Sequence, residues 1–286
     1  MEPSVLIQAA INGLLIGAIY VLFALGFSLI FGILDTINFA HGEMYMLGGF
    51  GAYYLFGQFG WNYLLTLIVV VFAVTLLGMG LEPLILKPVR GFHIGGFIIT
   101  LALGWVLVQL TVIICGPMDK HVPGVFLGVI KVLGASISVE KLIAGLIGII
   151  LVVLLFLFIG YTKIGKGMRA VTQDKEAAWL QGINVDYINR LGFGIGCGLA
   201  AAAGVLMAPV FYVAPDIGSA WLFKIFIVVI LGGLGSIPGA VVGGFLVGLL
   251  ESLSSLYIGM PAVQILLFSV AILILIFKPR GLLGHA

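Results

Sequence analysis

The chain has 286 residues, 62% of them hydrophobic and 8% charged, with a formal net charge of +2. Soluble domains carry about 25% charged residues, so this composition, with a mean hydropathy of +1.31, excludes an ordinary soluble protein. Apolar runs long enough to cross a bilayer as helices recur throughout, the alternating pattern of a β-barrel is absent, and no basic patch interleaved with aromatics points to nucleic acid.

The expected fold class is all-α: a polytopic integral membrane protein, read as a single transmembrane domain over residues 1–286. Cys115 and Cys197 lie in or beside apolar segments without CxxC spacing, so they read as small hydrophobes and not as a redox pair or zinc ligands. The N-terminus carries Glu2 and no basic region before its apolar run, which reads as a retained span and not as a cleaved signal peptide.

The first span is expected over residues 5–31. Gly13 and Gly17 are four apart, as are Ala24 and Ser28. Small residues at that spacing let helices approach closely in lipid, so this helix belongs inside a bundle. Asp35, Asn38, His41 and Glu43 then interrupt the apolar landscape. Ionisable groups near membrane depth are costly and point to function. Either Asn38 and His41 hold a broken helix or re-entrant turn, or the stretch is a short wet loop. Chemistry by His41 and Glu43 is disfavoured, because His-x-Glu is not the His-Glu-x-x-His of a zinc protease.

The apolar run resumes to about Tyr54, and another span is expected over residues 63–81, after a turn whose Trp61 suits an interfacial belt. Lys87 and Arg90, punctuated by Pro83 and Pro88, form a short loop that the positive-inside rule makes cytoplasmic. A span over residues 94–115 carries Thr100, Gly104 and Gln109. Residues 116–140, rich in Gly and Pro and without positive bias, suit the outer face. A span over residues 142–159 is almost purely aliphatic and faces lipid for much of its surface.

Residues 161–190 are both charged and apolar: Lys163, Lys166, Arg169, Lys175 and Arg190 stand against Asp174, Glu176 and Asp186. So short a segment has too little core to fold alone, and it reads as an intracellular loop gripped by another protein. One short helix is expected over residues 167–179, stopped near Gly182, with Asn184 as a weak cap for a second.

A tightly packed, glycine- and alanine-rich helix follows over residues 192–204, with Pro209 positioned to kink its end. Pro215 and Asp216 mark an outer loop, and Trp221, Phe223 and Lys224 open another apolar run to Leu231. Gly232, Gly233, Gly235, Ser236 and Gly239 form a backbone bend; no GK[ST] is present, so it is not a phosphate loop. The next run reaches Leu250 and ends at Glu251 and Ser252. A last span over residues 262–277 leads to the cationic Lys278 and Arg280. Nine apolar segments can be drawn, those flanking Ser236 being short enough for half-helices, so eight or nine spans are expected, with the N-terminus outside and the C-terminus inside.

These residues resemble the permease subunits of the branched-chain amino acid ABC transporter family, of the LivH/LivM type and nearer the LivH arrangement. The likeness is carried by Asn12, Gly13, Gly17, Tyr20, Leu22, Ala24 and Gly26, by the NxAHG block from Asn38 to Gly42 with Gly48, and by Thr162, Gly165, Arg169, Ala170, Asp174, Ala177, Ala178 and Gly182. It continues through the GGxGSxxGA block from Gly232 to Ala240 and the terminal KPRGLLG.

The resemblance implies an ABC importer permease fold in a prokaryotic inner membrane. It implies a homologous second permease, two cytoplasmic ATPase subunits using ATP and Mg, and an extracytoplasmic binding protein that delivers an amino acid, this subunit binding no cofactor or metal itself. Residues 161–187 become the ATPase-coupling loop, with Gly165, Arg169, Ala170, Asp174, Ala177, Ala178 and Gly182 as coupling residues. Met168, Ala177 and Ala178 are expected in a groove of the ATPase. Asn12, Gly17, Asn38, His41, Gln109, Gly233, Gly235 and Ser236 are candidates for the translocation path or its structural motifs. No catalytic residue is expected. The same class importing urea, amides or other amino acids is one alternative. An autonomous channel or secondary transporter is another, and it lacks the expected internal repeat.

Overall fold

The computed structural model describes residues 3–126, 128–132, 134–279 and 281–284. Glu2 and Arg280, named above, lie outside them. A chain this apolar has to close its backbone hydrogen bonds within each segment, and it does so in helices: α1 (Pro3–Leu34), α2 (His41–Ala52), α3 (Tyr63–Leu81), α4 (His93–Cys115), α5 (Val139–Tyr161), α6 (Lys163–Gln173), α7 (Lys175–Leu180), α8 (Val185–Met207), α9 (Ile217–Gly232), α10 (Ile237–Ser254) and α11 (Met260–Phe277). Seven of these (α1, α3, α4, α5, α8, α10 and α11) are long and apolar enough to cross a membrane. The shorter α9 is apolar too, and α2 is prolonged by a π-helical stretch, Tyr53–Gln58.

Helix α1 is the axis. It packs against α5, α8, α9 and α10, and α8 in turn packs against α2 and α3. The close approach of α1 and α10 follows from glycines on both sides. A Cβ on Gly248 would stand 2.5 Å from the Gly13 carbonyl oxygen and 2.6 Å from the Gly17 Cα. The Gly13–Gly17 spacing therefore does what small-residue pairs do in lipid. The periphery is the reverse: Ile68 and Phe72 on α3, Trp105 and Ile113 on α4, Ile150 and Leu154 on α5 and Ile276 on α11 are all exposed, an apolar surface suited to hydrocarbon.

The structure decides between the two readings of residues 35–43. Asp35 is exposed, but the stretch as a whole is not a wet loop, because Asn38, His41 and Glu43 are buried. Helix α1 stops at Leu34, Asp35 takes a left-handed φ of 57°, and the chain runs without helix until α2 begins. The backbone groups freed by this break find side-chain partners: Thr100 on α4 accepts from the Phe39 amide (3.2 Å) and donates to the Ile37 carbonyl (3.2 Å), and Asn38 Oδ1 accepts from the Ala40 amide (3.1 Å). His41 Nε2 lies 3.2 Å from the Phe23 carbonyl oxygen of α1.

Three further expectations change. The single helix over residues 167–179 is two, α6 and α7, because Asp174 (φ −158°, ψ 112°) leaves the helical region and caps the second. Glu251 does not end a span; α10 continues to Ser254 with Glu251 buried. Pro209 lies beyond the end of α8 and does not kink it. The connection before α5 contains a small antiparallel hairpin, β1 (Val129–Val132) with β2 (Ala135–Ser138), pairing Val129 with Ser138 and Val132 with Ala135. Lys120 in the same connection bridges to Val213.

One end of the bundle gathers the cationic connections. Lys87 pairs with Asp186 at 2.7 Å, and Arg90 pairs with both Asp186 and Glu82. The tail returns to the α9–α10 turn, where the Leu282 and Leu283 amides bond the carbonyls of Leu231 and Gly232 (2.8 and 2.9 Å).

Candidate functional site

At that end stand α6 and α7, built by a series of caps. Thr162 Oγ1 accepts from the Gly165 amide (2.9 Å), Asp174 Oδ1 from the amides of Glu176 and Ala177 (2.9 Å each), and Asn184 Oδ1 from the Tyr187 amide (3.0 Å). Asn184 thus starts α8 itself and not a second short helix. Gly165 packs against the backbone of Phe158 and Ile159. Arg169, Asp174, Ala177 and Gly182 are exposed, Ala170 is half-buried, and Gly182 turns the chain with a φ of 80°.

Burial corrects which of these residues another protein can touch. Met168 and Ala178 are buried within the chain, at 1% and 4% exposure, so neither is free to enter a partner's groove. The surface α7 offers instead is Ala177 with Trp179 and Leu180, the last two 69% and 74% exposed. Replacing Asp174 by alanine is expected to cost about 0.5–2 kcal/mol locally. Hydrogen exchange at the Glu176 and Ala177 amides would speed up with the spans unchanged, and unchanged exchange would refute the capping role.

The path candidates do not form one site. Asn12 lines a cavity of about 410 Å³ between α1, α9, α10 and α11. Gln109 lines a second, of about 400 Å³, beside Glu43, Asp216 and Ser219. Gly235 and Ser236 line a third, at the connection end, against Val171, Asp174 and Lys175. Gly17 belongs to the α1–α10 contact, while Asn38 and His41 hold the break before α2. Gly233 and Gly235 both take positive φ (111° and 76°), and Ser236 caps α10 through the Gly239 amide at 3.1 Å. Among the described residues no cluster of His, Cys, Asp or Glu could hold a metal ion.

The Asn12 cavity also brings together two charges, Lys224 and Glu251, to which the sequence assigned no joint role. Lys224 Nζ on α9 lies 2.6 Å from Glu251 Oε1 on α10. Tyr20 on α1 donates its hydroxyl to Glu251 Oε2, and Lys224 also reaches the Tyr20 oxygen at 3.2 Å. Lys224 Nζ sits over the Trp221 ring, 5.4 Å from its centre. The available signal was a lone lysine inside an apolar helix and a glutamate at the end of another, since ionisable groups at membrane depth are rare without a role.

The family described as "Branched-chain amino acid transport system / permease component" matches residues 9–277. The chain belongs to this permease family. The permease is 33% identical to the high-affinity branched-chain amino acid transport system permease protein LivH of Escherichia coli K12, over 98% of its own length and 96% of that relative's. It is 33% identical to BraD of Pseudomonas aeruginosa, named as a permease of the same kind, and 32% identical to LivH of Salmonella typhimurium, each with the same coverage. No solved structure matches it. The match and the seven long apolar helices make it a multi-pass membrane protein.

Proposed function

We infer that this permease is the membrane-spanning subunit of a binding-protein-dependent ABC importer of branched-chain amino acids. The observation that carries this reading is the likeness along nearly the whole chain to permeases whose names give that substrate class. It pairs with a homologous second permease to enclose the path. Two cytoplasmic ATPase subunits drive it with ATP and Mg, an extracytoplasmic binding protein loads it, and this subunit binds no cofactor of its own. The exposed tip formed by α7 supports a coupling role, because force from an ATPase has to enter through a surface outside the bilayer. With α2 and α9 each completed by the non-helical stretch before it, the seven long helices become nine crossings. The N-terminus then lies outside and the C-terminus in the cytoplasm, which puts the cationic connections inside.

The test is uptake by the reconstituted complex with its binding protein, across a panel of amino acids and urea. Leucine, isoleucine and valine uptake that needs both ATP and the binding protein is the expected result. Preferential uptake of urea or amides would replace the substrate assignment. Uphill transport by this chain without an ATPase would overturn the importer reading.

A further inference from the structure

We propose that the Lys224–Glu251–Tyr20 cluster is a transit site for the zwitterionic head of the transported amino acid. The inference rests on the importer reading above and adds to it the site and the chemistry of recognition.

Both charges lie on helices apolar enough for membrane depth, and neither is sealed off: the side chains of Lys224 and Glu251 keep 22% and 11% exposure. Both line the cavity of about 410 Å³, within the roughly 300–1,000 Å³ of small-molecule sites. Lys141, in the first turn of α5, lines it too. Helix α5 starts at the end of the bundle opposite to α6, so the cavity adjoins the face away from the coupling tip, where a binding protein releases its cargo.

An amino acid carries a cation and an anion two bonds apart. A cavity with only one sign of charge would leave the other group unpaired, which is costly in a low dielectric. Here Lys224 and Glu251 carry one charge of each sign and pair with each other, with Lys141 as a further cation in the lining. On entering, the substrate carboxylate takes Lys224 and the substrate ammonium takes Glu251, so one ion pair becomes two and no net charge is added. Tyr20 keeps Glu251 oriented through its hydroxyl, and Asn12 offers a further polar group. The wall also has an apolar part: Ile16, Phe211, Ile217, Trp221 and Met260 suit a branched aliphatic side chain.

The competing role for the pair is a strut that holds α9, α10 and α1 together, and the experiment separates the two. The full importer is placed in proteoliposomes with leucine-loaded binding protein, and assembly is read by co-purification of the ATPase subunits. Lys224→Met and Glu251→Gln are each expected to assemble and to lower leucine uptake at least about tenfold, one power of ten being a small change in pairing energy. Full uptake by either variant overturns the proposal. If the single variants do not assemble, the exchanged pair Lys224→Glu with Glu251→Lys decides: restored assembly with full uptake means a strut, and restored assembly without uptake means recognition of polarity. A second readout stands apart from these charges. In a Cys115→Ser background, Gln264→Cys at the cavity wall is expected to react more slowly with an external thiol reagent when leucine is added. An unchanged rate in a complex that transports leucine overturns the proposal. Absence of uptake by the unaltered complex refutes the importer reading itself, a failure distinct from that of the site.

Discussion

Replacing Trp179 and Leu180 together by serine is expected to abolish ATP-driven uptake while the permease still inserts. Both side chains are largely exposed on a six-residue helix whose opposite face is anchored by buried Ala178. Removing them takes away no internal packing of note, so loss of the fold is not the expected consequence. What is lost is the exposed apolar surface that the importer reading assigns to contact with an ATPase subunit. Aromatic anchors at interface centres contribute about 2 kcal/mol or more each, and 2 kcal/mol is roughly a thirtyfold weakening. Co-purification with the ATPase subunits and binding-protein-stimulated ATP hydrolysis are the measurements. Full assembly and uptake would remove α7 from the coupling surface. Arg169→Glu, at an exposed site on α6, is expected to act more weakly and mainly through the salt dependence of assembly, as rim charges do.

The second large effect is expected at the α1–α10 crossing. Gly248→Leu places a side chain where the nearest atoms are the Gly13 carbonyl oxygen and the Gly17 backbone. Backbone on the facing helix cannot swing aside as a side chain can, so the helices have to separate. Overpacking in a dense core costs about 1–3 kcal/mol even where side chains can move, and this substitution is expected at or beyond the top of that range. Glu251 sits three residues further along α10, so separation of α1 from α10 also draws it away from Tyr20. Gly17→Ala is milder, its Cβ meeting atoms no nearer than 3.2 Å. Thermal denaturation of the purified complex should rank Gly248→Leu well below Gly17→Ala, and equal stability would contradict the crossing.

Much of the architecture is legible in the chain. The span expected over residues 63–81 is α3 to the residue, and that expected over 94–115 is α4 within one position. Both helices face lipid on much of their surface, and their ends are set by local signals: Asn62, whose side chain caps α3, and Gly116 with a φ of 84° after α4. The division of α6 from α7 was not read, because the apolar period there is imperfect and a capping aspartate does not by itself announce a break inside a charged stretch. Nor was the Lys224–Glu251 pair. The two residues lie on different helices joined by a glycine turn, and in the sequence Glu251 stands where an apolar run ends.

The sequence by itself determined the membrane class, the family resemblance and the course of most spans. Each of these depends on how a stretch of chain is solvated, and that is a sum over neighbouring residues. Only the tertiary structure decided which polar groups meet: Thr100 with the break before α2, Trp179 and Leu180 outward on α7, and Lys224 with Glu251 and Tyr20. Those meetings depend on how far each helix is rotated about its own axis. That rotation is fixed by backbone contacts such as Gly17 with Gly248, between residues more than two hundred positions apart, and no local pattern carries it.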